Sequence, residues 1–327
     1  MNRWITGIAC IFLSGVLLLT GCAQESNGDL TAVARQAGIE NSQREEALAL
    51  LDDQDQLYID ASKHRDDEYR IVTTTVAITQ LLDKLELDVV GIPTSVKVLP
   101  ERYDGVTKVG NPMSPDMELV KSLKPTEVLS VTTLEYDLKP VFEEAGIVAN
   151  FLDLTSVAAM NQAIVDLGER YDRQAQATEI ITKFEQKVSE IEQLTADYEK
   201  PSVLILMGVP GSYLVATEHS YIGDLVRLAG GINIVQGERV EYLASNTEFL
   251  YNSNPDIILR AAHGMPEEVI VMFDKEFQQN DIWKHFNAVK NGRVYDLEEA
   301  LFGTTASLYA IDAMDALLPM LYPELQQ

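Results

Sequence analysis

The stretch Arg70-Ile71-Val72-Thr73-Thr74-Thr75-Val76, continuing to Leu85, decides the fold class. Arg70-Ile71-Val72 is a short β-like run, and from there Val76, Ala77, Leu81, Leu82 and Leu85 recur at helical spacing. The threonines between them read as the turn that ends a strand and starts a helix. The pattern then repeats outward. Val89-Val90-Gly91 is followed by a loop containing Pro93, by the punctuated segment Gly110-Asn111-Pro112-Met113-Ser114-Pro115, and by a helix over residues 117–123. Residues 128–131 and 203–207 are apolar β runs bounded by Pro and Gly. Such alternation predicts an α/β protein with mainly parallel central sheets.

An internal echo divides the chain. Glu118-Leu119-Val120, Pro125 and Val128-Leu129 match Glu248-Phe249-Leu250, Pro255 and Ile258-Leu259, at a constant offset of 248 − 118 = 130 residues. Each copy reads as helix, proline-containing turn and buried strand, so two lobes of comparable size are expected. Chance likeness between α/β units is the competing account, because proline is common in such turns. Between the copies, residues 160–194 lack proline, hold only Gly168 as an internal glycine, and place Ile180, Phe184, Val188 and Ile191 at helical spacing. This reads as one long helix joining the lobes as a strut, with a break near Gly168 as the alternative. The expected division is residues 70–159 for the N-terminal α/β lobe, 160–199 for the connecting helix and 200–327 for the C-terminal α/β lobe.

The 327 residues are enough for two such lobes. Lys and Arg number 25 against 51 Asp and Glu, and the net charge of −26 opposes any sequence-independent grip on a phosphate backbone. Nucleic acid is therefore excluded as a partner. Residues 1–21 read as a secretory signal, with Arg3 ahead of an apolar run from Ile5 to Leu19 that is short for a membrane span. The run ends in Leu19-Thr20-Gly21-Cys22, which resembles the lipobox of bacterial lipoproteins, where the cysteine is lipidated and becomes residue one. A retained anchor helix with an incidental cysteine is the competing reading. The lipobox predicts a chain of 327 − 21 = 306 residues at the extracytoplasmic face of the bacterial membrane, tethered by lipid at Cys22. Cys10 would be discarded, so intramolecular disulfides, thiolate metal sites and CxxC redox chemistry are all excluded. Residues 23–69 carry 12 acids and 4 bases, so the segment 22–69 reads as a solvated acidic tether.

Candidate ligand-binding residues are few. There is no HExxH, no phosphate-binding P-loop and no GxSxG elbow. His64 sits in the tether, His219 precedes Ser220, a helix cap, and His285 belongs to the surface helix Trp283-Lys284-His285-Phe286. His263 differs: it follows the buried run Ile257-Ile258-Leu259 and opens the loop His263-Gly264-Met265-Pro266. That places an imidazole beyond the C-terminal end of a strand, where open α/β sheets bind ligands, although a structural role suits it equally. Met113 occupies the corresponding region of the first lobe, in a loop held by Pro112 and Pro115, where filling a gap between lobes is the alternative. One thioether and one imidazole, one per lobe, suit axial coordination of haem iron. Thr73, Thr74, Thr75 and Val76 offer hydroxyls and N–H groups at a helix N-terminus, able to hold a propionate or simply to cap the helix.

From Arg70 onward the chain resembles the haem-receptor lipoproteins of the Gram-positive iron-regulated surface determinant systems, which are substrate-binding proteins of ABC transporters. The resemblance covers nearly the whole body: Arg70-Ile71-Val72, Gly110 to Pro115, Val203 to Thr217, Ser220 to Leu225, His263 to Glu268 and Asn280 to Phe286. It implies two α/β lobes joined by one long helix, with little hinge closure, and a cleft holding one haem b as transported ligand. The axial methionine then falls on Met113 and the axial histidine on His263, the haem iron being the only metal. The wider class docks on permease arginines through one glutamate per lobe, which places those roles on Glu118 and Glu248. The implied partners are a haem-donor surface protein and an ABC permease subunit, for iron acquisition by a monomer that is not an enzyme. The acidic protein repels anions at long range, leaving Lys97, Arg102 and Arg260 as local attractors, Arg260 with the alternative of pairing a neighbouring acid. A ferric siderophore or corrinoid binding lipoprotein of the same fold is the alternative. A lipid-anchored hydrolase or haem-degrading enzyme fits worse, since two axial ligands leave no open iron position. Two departures from the family are the longer tether and the loop Ala300-Leu301-Phe302-Gly303-Thr304-Thr305.

Overall fold

A strand whose two faces are both covered must be apolar on both, and the first stretch obeys this: Ile71–Thr73 (β1) is buried at every position. The computed structural model describes residues 69–245 and 253–326, so Cys22, the acidic tether 22–68 and Glu248 lie outside the described residues. Thr75 caps Val76–Lys84 (α1) by accepting the Ile78 N–H at 3.4 Å. Gly91–Ile92 (β2), Thr107–Lys108 (β3), the hairpin Gly110–Asn111 (β4) with Ser114–Pro115 (β5), Met117–Ser122 (α2), Glu127–Val131 (β6), Glu135–Glu144 (α3) and Ala149–Leu152 (β7) follow. The first sheet has the order β3-β2-β1-β6-β7 and is parallel throughout.

After Val157–Arg170 (α4) and Gln174–Thr195 (α5), the second sheet is built from Ser202–Val209 (β8), Ser212–Ala216 (β9), Ile232–Asn233 (β10), Tyr242–Ala244 (β11), Ile257–Ala262 (β12) and Val294–Asp296 (β13). Its order is β11-β9-β8-β12-β13, with β10 also pairing β8; β8, β10, β12 and β13 are parallel, and the β8–β9 hairpin turns back. Tyr221–Leu228 (α6), Pro266–Gln279 (α7), Asn287–Lys290 (α8) and Ala310–Leu321 (α9) complete the lobe.

The echo at offset 130 has a structural counterpart. β6 and β12 both lie inside their sheets, beside β1 and β8 respectively. The residue before each makes the same pair of bonds: Thr126 N–H donates to Arg70 O while its Oγ1 accepts the Arg70 N–H at 3.0 Å, and Asp256 N–H donates to Ser202 O while its Oδ2 accepts the Ser202 N–H at 2.8 Å.

The long helix expected over 160–199 is two, and the alternative of a break near Gly168 is met a few residues further on, at 171–173. Helix α4 ends at Arg170 because Asp172 adopts φ 56°, the Tyr171 N–H donates to Leu167 O at 3.0 Å and the Arg173 N–H reaches back to Gly168 O at 2.7 Å. This is the Schellman closure usually supplied by glycine; here an aspartate takes the left-handed position, so the sequence carries no glycine at the stop. Gly168 serves packing, since a Cβ there would lie 2.7 Å from the Ala177 Cβ of α5. The break turns Tyr171 onto the first sheet, where its hydroxyl donates to Glu127 Oε2 at 2.5 Å and Arg170 pairs with Glu127 Oε1. One continuous apolar core then runs from β1 and α1, through Met160, Phe184 and Ile191 of the connecting helices, to β8, α6 and α9.

Outside that core, Arg260 is buried on the other face of β12. Its guanidinium forks onto Asp296 (Nε 2.7 Å, Nη2 2.5 Å), reaches Asp274 at 3.0 Å, and lies over the rings of Phe273 and Phe277. Gly208 lets α7 lie against β8: a Cβ there would sit 2.3 Å from Val269 Cγ1 and 2.7 Å from Phe273 Cε2. Gly208→Ala is expected to lower unfolding free energy by about 1–3 kcal/mol through overpacking, measured by denaturant titration. Tyr171→Phe is expected to lose about 1.5–3 kcal/mol, the range for a hydrogen bond to a charged group, by the same measurement.

Candidate functional site

In parallel sheets the backbone groups and loops at the strand C-termini converge on ligands, and both lobes present that edge. In the first, β3 runs into the β4–β5 hairpin, closed at Gly110 by φ 102° and by Asp116 N–H donating to Val109 O at 2.7 Å. Only glycine serves at 110, where a Cβ would also meet the Asp116 nitrogen at 3.0 Å. Met113 stands at the hairpin tip, its N–H donating to Asn111 Oδ1 at 2.9 Å and its side chain 69% exposed. Asp116 then caps α2 by accepting the Glu118 and Leu119 N–H groups at 3.1 and 3.0 Å, which leaves Glu118 exposed in the first turn.

In the second lobe His263 leaves β12 with its N–H donating to Gly208 O at 2.8 Å, beside the C-terminal end of β8. Gly264 and Met265 both take left-handed backbone conformations, at φ 72° and 47°, which swings the chain from strand to the Pro266 that opens α7. The imidazole is exposed, and so is the neighbouring Met265 side chain. Thioether and imidazole thus stand on separate lobes, each just past the C-terminal end of its sheet.

The threonines are placed otherwise than their hydroxyl content suggests. Thr73 Oγ1 shares a hydrogen bond of 2.8 Å with Thr79 Oγ1, and Thr74 Oγ1 donates to Ser130 Oγ at 2.9 Å, both fully buried. These hydroxyls hold the strand-to-helix turn together and are not offered to a ligand. What the turn presents is the start of α1, the N–H groups of Val76 and Ala77, which have no partner within an α-helix and carry its positive pole.

Of the three cations expected to attract an anionic group, Arg260 is spent on Asp296 and Asp274, and Arg102 on Asp88 at 2.8 Å. Lys97 reaches only Glu299, at 3.9 Å and from the other lobe. It lies between Val96 and Val98, two valines left almost wholly exposed in the loop after β2. Sequence reasoning passed over these valines and Met265; the available signal was apolar side chains in proline-framed loops with no strand or helix periodicity to bury them.

Two cavities lie where the lobes meet. One, of about 340 Å³, is bounded by Lys84, Val98, Pro100, Tyr309 and Asp312. The other, of about 710 Å³, is bounded by Ser156, His219, Asp224, Arg227, Arg239 and Glu241. Burial, and then the Asp153 carboxylate, push the Glu241 carboxyl above the usual range. Neither cavity is lined by Met113 or His263. Ser220 caps α6 beside His219 as its sequence suggests, whereas His285 ends the short 3₁₀ turn Trp283–His285 rather than a surface helix. Among the described residues no group of three or more His, Cys, Asp and Glu side chains is placed to hold a metal ion, and no helix is long and apolar enough to cross a membrane.

Known proteins share this arrangement. The high-affinity heme uptake system protein IsdE of Staphylococcus aureus is 54% identical over 258 residues, covering 79% of this chain and 88% of its own. The crystal structure of S. aureus IsdE complexed with heme superposes with a TM-score of 0.75 at 53% identity, over 78% of this chain and 99% of that one. An ABC transporter substrate-binding protein from Listeria monocytogenes EGD-e does so with a TM-score of 0.75 at 58% identity, over the same shares. Residues 71–301 match the periplasmic binding protein family, and with two lobes built on mainly parallel sheets, the chain belongs to that family.

Proposed function

We propose that this protein is a lipid-anchored receptor that accepts haem b between its lobes and delivers it to an ABC permease for iron acquisition, with Met113 and His263 as the axial ligands. One observation carries the reading: an exposed thioether and an exposed imidazole end the two sheets of a chain 53% identical to a protein crystallised with heme. A Met/His pair favours six-coordinate, low-spin iron and raises its potential, which suits holding haem for transfer. Val96, Val98 and Met265 supply apolar surface for the porphyrin. Its propionates are anionic in an anionic protein, so local attraction is needed; the N–H groups of Val76 and Ala77 at the start of α1, with Lys97, provide it. With both axial positions filled by the protein, the iron has no open site and the reading involves no chemical step.

Glu118 is placed to meet a permease arginine: it is exposed on α2, five residues beyond Met113, so the permease would contact the same lobe edge that carries the ligand. Glu248 has the matching role by the offset of 130 residues. A haem-donor surface protein is the source, Cys22 is the lipidated residue, and the receptor acts as a monomer at the extracytoplasmic face of the membrane.

Titration of the protein with haem is expected to give a saturable low-spin spectrum at one haem per chain. Met113→Ala and His263→Ala should each convert it to a high-spin or five-coordinate form; a spectrum unchanged in both variants, or no saturable spectrum in the wild type, would refute the assignment. Glu118→Arg combined with Glu248→Arg should leave that spectrum intact and abolish haem-dependent growth of cells that rely on the transporter, by reversing the docking charge.

A further inference from the structure

Because the two proposed axial ligands stand on different lobes, their separation is fixed wherever the lobes are joined. Beside the apolar core, the junction at the start of α4 is held by one buried carboxylate. Asp224, on α6 and 6% exposed, accepts the N–H of Val157 at its Oδ2, 2.8 Å away. Its Oδ1 accepts from Arg227 Nη2 at 2.6 Å and Nε at 3.2 Å. Val157 is the first residue of α4, which leaves the first sheet just after β7. This helix therefore has two caps: Ser156 Oγ accepts the Ala159 N–H at 3.1 Å from its own chain segment, and Asp224 reaches in from the second lobe. A negative charge at this end of a helix is favourable, and Arg227 makes burying it tolerable.

The surroundings give this contact its weight. Ala306 N–H donates to Leu154 O at 2.7 Å, a second bond across the same junction. Next to it the cavity of about 710 Å³ leaves the corner unpacked. Asp153 and Glu241, carboxylates from opposite lobes, repel each other there. We propose that Asp224 is a positioning residue for haem binding: it pins the start of α4 to the second lobe and so holds Met113 and His263 at the separation a six-coordinate iron requires. The inference rests on the haem reading of the site.

The test uses the full chain and two substitutions that break the same bond from either side. Asp224→Ala removes the acceptor. Val157→Pro removes the donor at the first helical position, where proline is accommodated and the preceding Ser156 is already extended (φ −146°, ψ 164°). Arg227→Lys, which keeps the cross-lobe bond and a cation beside Asp224, is the control. Without haem, amide exchange is followed at Ala306, whose own bond neither substitution touches; a rate raised at least about tenfold in both variants is expected. With haem, both should show a smaller low-spin fraction and roughly tenfold weaker binding, with Arg227→Lys close to wild type. Unchanged Ala306 exchange in Val157→Pro overturns the proposal even if Asp224→Ala fails to fold. So does faster exchange with an unchanged spectrum and affinity. A wild type that gives no haem spectrum removes the haem reading, and with it the positioning role, while Ala306 exchange still reports whether Asp224 pins the junction.

Discussion

The parallel pairing of β8 with β12, six residues in register from Val203–Ile257 to Gly208–Ala262, is the constraint on which the second lobe depends. Both strands are covered on two faces, so both had to be apolar runs, and the register places the end of β12 beside Gly208. Gly208 then does two things at once. Its carbonyl accepts the His263 N–H, and its missing side chain lets α7 approach closely enough for the loop 263–265 to turn back in three residues. The position of the imidazole follows from strand register and a close helix approach.

The first lobe reaches the same end by a different device. Its strands are short, and the candidate residue Met113 is carried on a hairpin appended after β3. There the left-handed Gly110 and the Asp116 cap of α2 hold the hairpin between strand and helix, so Met113 is exposed on a short, braced support. In a chain of net charge −26, Arg260, Arg102 and Arg170 each face one or more carboxylates. An anionic ligand would rely all the more on backbone N–H groups at a helix start, which carry no side chain to be neutralised.

The two lobes share a core through α4 and α5, and the turn between those helices is part of how they share it. At the end of α4, Arg170 and Tyr171 meet Glu127 on β6, and the stop at Asp172 lets the next helix pack against Gly168. The shared core and the bonds at the α4 N-terminus tie the two lobes together.

The residues themselves determined the strand-turn-helix unit at 70–85, the α/β alternation, the offset of 130 residues between the lobes, and Met113 and His263 as the candidates, because periodicity, proline framing and the scarcity of histidine are local properties of the chain. A break near Gly168 was legible, but its exact place was not, since the left-handed stop is made by an aspartate and its value lies in Glu127, more than forty residues away in sequence. Nor was the fate of the threonine hydroxyls: Thr74 meets Ser130 only once β1 and β6 are paired. Nothing in the sequence singles out Asp224, and only the tertiary structure set it against Val157, because a charge reveals its partner through distance in space, which composition and spacing do not encode.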